Sequence, residues 1–149
     1  MHEMLGHHNF LLGHYGAALA HYETVMSSGT AGKAVRKRAI VCYIQGRKPE
    51  KALPLFAELF MEDPGCILAQ RRVDDGCPCP EIIQEYLEHT TNITAGDMLS
   101  LGMLWSYCDP GVAAMWFTDA LRQDESNVTV KHILAVLSRE ASNTLPITS

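Results

Sequence analysis

The sequence predicts an all-α domain in which a helical hairpin recurs about every 34 residues. Apolar residues fall at helical spacing in several stretches, and glycine or proline separates those stretches. The spacing from Ala18 to Ala52 is 34 residues, and so is the spacing from Tyr22 to Phe56. No stretch alternates apolar and polar residues as a strand would. A fixed period of this length is typical of stacked helical repeats.

The first two hairpins are predicted over residues 2–30 and 31–64. In the first, an apolar stretch ends at Gly13 and a second begins near Gly16. In the second, Gly46 marks the turn, Pro49 suits the first turn of the following helix, and a proline ends that helix. The inward face of each second helix is Ala18, Leu19, Tyr22 and Val25, then Ala52, Phe56 and Leu59.

A further hairpin is predicted over residues 95–127, with Asp109 as a helix N-cap and Pro110 as the first helical residue. Phe56 and Phe117 are 61 residues apart, roughly two periods, so residues 65–94 should hold a degenerate copy. Glycine and proline block a helix over residues 74–80. A capping helix is predicted over 128–141 and a flexible tail over 142–149.

These features together resemble the tetratricopeptide repeat family, which places a small residue where two helices cross and an aromatic residue beside it. The resemblance implies a right-handed α-solenoid of three to four hairpins, one degenerate. It also implies a non-enzymatic module that binds a peptide or protein segment in a concave groove. The matching positions are Gly6, Ala18, Tyr22, Ala39, Ala52, Phe56, Pro64, Gly102, Ala113, Phe117 and Ala120.

By the same resemblance, the first helix of each pair lines the groove. The groove residues are then His7, Phe10, Leu11, Lys33, Arg36, Ile40, Tyr43 and Ile44. The alternative, given equal weight, is that the apolar members are core. The cluster of Lys33, Arg36, Lys37 and Arg38 could receive an acidic partner segment, although an ordinary solvated helix face is the favoured interpretation.

The alternative to a binding module is a protein that uses metal or thiol-redox chemistry. The zincin motif needs histidines at i and i+4, but His7 follows His2 at i+5, about 140° around the helix. Weak zinc or nickel binding by His7, His8 and His14 is the remaining option. Cys77 and Cys79 could form a redox pair or half a metal site, although no second pair stands at zinc-finger spacing. We predict no resident metal and no cofactor.

Bulk properties narrow the classes of partner. The net charge of −5 gives no attraction to nucleic acid or anionic membrane. The five cysteines form no disulfide framework, and no signal peptide is recognisable, so a cytoplasmic protein is expected.

A type III secretion chaperone of tetratricopeptide type is an alternative within binding proteins. A homodimer formed through Met103, Trp105, Met115 and Trp116 also stays open.

Overall fold

A computed structural model of the chain describes residues 1–29, 31–68 and 79–144, and this part is entirely helical, with no strand. The all-α prediction is therefore confirmed. No helix in these ranges is long and apolar enough to cross a membrane. The helices are α1 His2–Leu11, α2 Tyr15–Ser27, α3 Lys33–Gln45, α4 Pro49–Glu62, α5 Gly65–Leu68, α6 Cys79–Glu88, α7 Ala95–Ser106, α8 Pro110–Gln123 and α9 Val128–Thr144.

Three helical hairpins form where the sequence predicts them, because short turns bring consecutive helices together. They are α1–α2, α3–α4 and α7–α8. Gly13 takes a φ of +79° in the first turn, a conformation that glycine adopts without a steric cost. Asp109 caps α8 by accepting hydrogen bonds from the backbone N–H groups of Gly111 and Val112. Helix α9 runs to Thr144, slightly beyond the predicted start of the tail.

A glycine meets an aromatic ring at the crossing of two of these hairpins. A Cβ atom on Gly6 would lie 2.6 Å from Cε1 of Tyr22, and one on Gly102 would lie 3.0 Å from three atoms of the Phe117 ring. The missing side chain lets the helix axes approach, and the ring fills the crossing. Of the other predicted packing residues, Pro64 follows the end of α4 and is only partly buried. The rest are buried: Ala18, Ala39, Ala52, Phe56, Ala113 and Ala120.

The second hairpin packs directly against the α7–α8 hairpin, which is the fourth unit when the degenerate segment is counted as the third. Helix α4 contacts α7 and α9, and the rings of Phe56 and Phe117 have centroids 6.0 Å apart. The Tyr107 hydroxyl donates a hydrogen bond to the Lys37 carbonyl at 3.1 Å. In a strict stack each repeat contacts only its neighbours, so the contact of α4 with α9 is a departure from that pattern.

The degenerate segment supplies α5, only four residues long, and α6. Ile82, Ile83 and Tyr86 of α6 are buried, whereas Leu87 is exposed. Residues 69–78, which include most of the stretch predicted to block a helix, lie outside the described residues. The segment therefore does not place a full hairpin between the second and fourth units within the described part of the chain.

A polar cluster fastens α6 and α7 to the turn between α3 and α4. The Arg47 guanidinium lies 3.7 Å from the centroid of the Tyr86 ring, and the Tyr86 hydroxyl donates to Asp97 Oδ1 at 2.5 Å. Asp97 also closes a capping box with Thr94 at the start of α7. Burial alone would raise the pKa of Asp97, but the bonds from Thr94 and Tyr86 and the nearby Arg47 charge lower it below its ordinary value.

Replacing Gly6 by Ala should destabilise the fold. The added methyl must displace the buried Tyr22 ring, and overpacking of this kind costs about 1–3 kcal/mol, more than the better helix propensity of alanine returns. Urea unfolding measures the change. Gly16→Ala is the matched control, since nothing lies within 4 Å of its Cβ position. We expect it to leave stability unchanged or to raise it by up to about 1 kcal/mol. Equal effects of the two substitutions would contradict the close-approach account.

The depressed pKa of Asp97 predicts acid sensitivity. Its contribution to stability is present above about pH 4, where the unfolded carboxyl is ionised, and is lost as the pH falls through the lower folded-state pKa. Asp97→Asn should cost about 1–3 kcal/mol at pH 7 and flatten the dependence of unfolding free energy on pH between 5 and 3. Asp119→Asn, at an exposed ion pair with Arg122, is the control and should change stability by less than about 0.5 kcal/mol.

Candidate interaction surfaces

The residues predicted to line a groove do not form one surface. Phe10, Ile40 and Ile44 are buried in the core, which leaves them no area for a partner and agrees with the core interpretation. Tyr43 is also buried, and its hydroxyl donates to Glu23 Oε2 at 2.8 Å. Of the apolar residues in that set, Leu11 is exposed.

His7 belongs to the same set and is occupied within the first hairpin. Its Nδ1 lies 2.7 Å from the Tyr22 hydroxyl. Burial raises the pKa of Tyr22 to about 12, so this hydroxyl keeps its proton and can donate it. Burial and the Arg38 charge lower the pKa of His7, so the ring is neutral at pH 7. The pair acts as a packing contact beside Gly6 and is poorly placed to meet a ligand.

Two residues of the basic cluster, Lys33 and Arg36, are paired with carboxylates of the same hairpin. Lys33 Nζ lies 2.8 Å from Asp63 Oδ2, and Arg36 lies 2.8 Å from Glu62 Oε2. Because α3 begins where α4 ends, these pairs join the open ends of the two helices. Lys37 donates to the Cys66 carbonyl, and the Arg38 guanidinium lies over the Phe10 ring. Lys33 and Arg36 are thus paired with carboxylates, whereas a carbonyl and an aromatic ring leave the charges of Lys37 and Arg38 in place.

A cleft of about 720 Å³ lies between α2, the end of α3 and α6. Its charged groups are Glu23, Lys48 and Glu85, of mixed sign. Tyr43 lies beside the cleft. Its burial, and to a smaller extent its hydrogen bond to Glu23, raises its pKa to about 12. The cleft depends on where α6 docks, so helical periodicity alone could not reveal it. It is lined by Gly13, Tyr15, Gly16, Leu19, Ala20, Glu23, Cys42, Gln45, Gly46, Lys48 and Glu85.

Helix α1 carries an apolar face that nothing in the described chain covers. The exposed fractions are 75% for Met4, 67% for Leu11 and 56% for Leu12. Leu5 and His8 are also exposed. Around the helix axis the five side chains span an arc of about 120°. We call Met4, Leu5, His8, Leu11 and Leu12 the α1 outer face. It opposes the buried face that carries Gly6 and Phe10.

The corresponding face of α7 is covered. Gly6 and Gly102 each meet the aromatic ring of the following helix, which aligns α1 with α7 residue by residue. On α7 the face packs against α4 of the preceding hairpin and against α6. The positions that match the α1 outer face are Ser100, Leu101, Leu104 and Tyr107, all buried, and Cys108, which is exposed. The α1 outer face is thus exposed, whereas most of the matching face of α7 is buried against other helices of the described chain.

The apolar residues suggested for dimer formation are mostly packed inside. Met103 is buried, and Trp105 and Trp116 are partly buried against the core, whereas Met115 is 68% exposed. An isolated exposed methionine is common on protein surfaces. These residues of the α7–α8 hairpin therefore offer less exposed apolar surface than α1 does.

The metal and thiol candidates are only partly within the described chain. There, no group of three or more His, Cys, Asp or Glu side chains could hold a metal ion. His8 and His14 are exposed, and His2 lies beside His21. Cys77 and the side chain of Cys79 fall outside the described residues, as does any pairing between them. Cys42, Cys66 and Cys108 are free thiols.

A scan against protein-family models gives no match, and searches of curated proteins and of solved structures give none either. No relative therefore assigns this chain a family, and its function has to be inferred from its own residues.

The thiol of Cys42 should be inert although it borders the cleft. Burial raises its pKa to about 12, so at pH 8 its thiolate fraction is roughly a thousandfold below that of an ordinary exposed cysteine. Alkylation with iodoacetamide, followed by peptide mapping, should modify Cys108 long before Cys42. Comparable rates at the two positions would show that the cleft floor opens to solvent.

Proposed function

We propose that this chain is a non-enzymatic protein-interaction module that binds a helical partner through the α1 outer face. The observation that carries the proposal is the exposure of this face when its counterpart on α7 is buried beneath another hairpin. The partner would occupy the position that a preceding hairpin would take in the stack.

A tetratricopeptide-type solenoid is part of this proposal. Three hairpins, the 34-residue spacing of the first two and the glycine–aromatic crossings support it. In such arrays each unit presents one face to the unit before it and another to the unit after it. A unit whose outer face is apolar calls for a further packing partner, since an uncovered repeat needs a polar outer face to stay soluble.

The size of the apolar face suits a specific interaction. Of its four large apolar side chains, Met4, Leu11 and Leu12 are more than half exposed and Leu5 is 40% exposed. Complete burial of such a side chain contributes about 1.5–3 kcal/mol, so covering the four together would supply several kcal/mol toward binding. Contiguous apolar patches on folded chains commonly mark interaction sites.

The internal contact also indicates the chemistry of the partner. Helix α4, which packs on α7, buries Leu53, Phe56 and Phe60 at i, i+3 and i+7. We infer that an amphipathic helix with large apolar residues at that spacing is the best fit for the α1 outer face. This differs from the groove expected from the sequence, since the site lies on the outside of the first hairpin.

Site-specific photocrosslinking tests the proposal without knowledge of the partner. A photoreactive phenylalanine analogue at position 11, in the full chain in its native cells, should give one dominant adduct. The same group at position 115, where Met115 is equally exposed on α8, is the control and should give none. Each adduct is identified by mass spectrometry.

A second variant checks that the adduct reports binding. Leu5→Gln with Leu12→Gln should abolish the adduct at position 11 while helicity stays unchanged, because both leucines are exposed. An adduct that persists in this variant, or equal adducts at positions 11 and 115, would contradict the proposal. An adduct between two copies of the chain would show that the partner is a second copy and that the chain forms a homodimer.

A further inference from the structure

Two histidines face each other across the first hairpin, away from the α1 outer face. His2 lies in the first turn of α1 and His21 in the middle of α2, and their Nδ1 atoms are 3.0 Å apart. The ring centroids are 5.3 Å apart, with an angle of 38° between the ring planes. His2 is exposed and His21 is half-buried, so water reaches the pair.

The separation of the two nitrogens matches a pair of adjacent metal ligands. Imidazole nitrogens bind first-row metals at about 2.0–2.1 Å. Two such ligands at a right angle are therefore ~2.9 Å apart, and two at the tetrahedral angle are ~3.3 Å apart. The observed 3.0 Å is the length of an ordinary hydrogen bond, and it also lies close to the right-angle separation that square-planar and octahedral ions require.

We propose that His2 and His21 form a two-histidine site for a divalent transition-metal ion of the copper(II) or nickel(II) type. In the metal-free pair, one Nδ1 carries a proton and the other accepts it. On binding, that proton moves to the solvent-facing Nε2 of the same ring, and both Nδ1 lone pairs bind the metal. Water fills the other positions, because the described residues provide no third His, Cys, Asp or Glu there.

This site differs from the one considered on sequence grounds. That set was His7, His8 and His14, but His7 is hydrogen-bonded to Tyr22 on the buried side of the hairpin. The pair His2 and His21 is separated by 19 residues and meets only because α1 folds back on α2. A bound ion would connect the two helices and stabilise the folded hairpin.

Copper(II) binding at pH 7.5 tests the proposal. One equivalent of Cu²⁺ added to untagged protein should give a single electron paramagnetic resonance signal with coupling to imidazole nitrogen. His21→Gln should weaken Cu²⁺ binding about tenfold or more, since the second ligand of a chelating pair acts at high effective concentration. His8→Gln removes an exposed histidine from the same helix and should leave the affinity unchanged.

Thermal unfolding gives an independent measurement on the same variants. Cu²⁺ at a hundredfold excess over its Kd should raise the Tm of the wild type and of His8→Gln by roughly 5–10 °C. His21→Gln should lack this shift while keeping the metal-free Tm. Equal affinities for wild type and His21→Gln, or equal losses in both variants, would overturn the proposal. Neither outcome bears on partner binding by the α1 outer face.

Discussion

The contact on which the structure depends is the close approach of a helix backbone to a buried aromatic ring. Gly6 meets Tyr22 in the first hairpin with no room for a methyl group, and Gly102 meets Phe117 in the α7–α8 hairpin, where a Cβ atom would lie only 3.0 Å from the ring. The separation and rotation of two packed helices are set by the side chains at their crossing. These contacts therefore determine which face of α1 and of α7 turns inward and which turns outward.

The outward faces of these two helices then meet different environments. On α7 that face is covered by the second hairpin and by α6, whereas on α1 it meets solvent. The second hairpin reaches α7 because the degenerate segment leaves no complete hairpin between them in the described chain. The Arg47, Tyr86 and Asp97 cluster instead holds α6 to the side, where α6 forms one wall of the cleft. The consequences are one exposed apolar face on α1 and one cleft beside α6.

The sequence predicts the hairpins well because their signals are local. Gly46, Pro49, Asp109 and Pro110 each act within a turn, and the 34-residue spacing identifies the buried aromatic residues. The face of α1 was harder to predict. Leu11 and Leu12 follow Phe10 directly, so apolar residues occur on both sides of the helix and periodicity cannot decide between them.

Helical periodicity also cannot predict contacts between residues that are far apart in the sequence. Arg47 and Tyr86 are 39 residues apart, and no pattern links them. The pairing of Lys33 with Asp63 could have been anticipated, because the start of the first helix in a hairpin meets the end of the second. The same reasoning predicts that Lys33 and Arg36 of the basic cluster are paired within the hairpin.

Amide hydrogen exchange of the purified full chain tests the central claim most directly, by comparing α1 with α7. The two helices have the same contact with an aromatic ring, but only α7 is covered on its outer face. The account predicts that α1 exchanges much faster than α7 in the isolated chain, and that a bound helical partner slows exchange in α1. Equal protection of α1 and α7 in the monomeric chain would contradict it, because α1 would then need no partner.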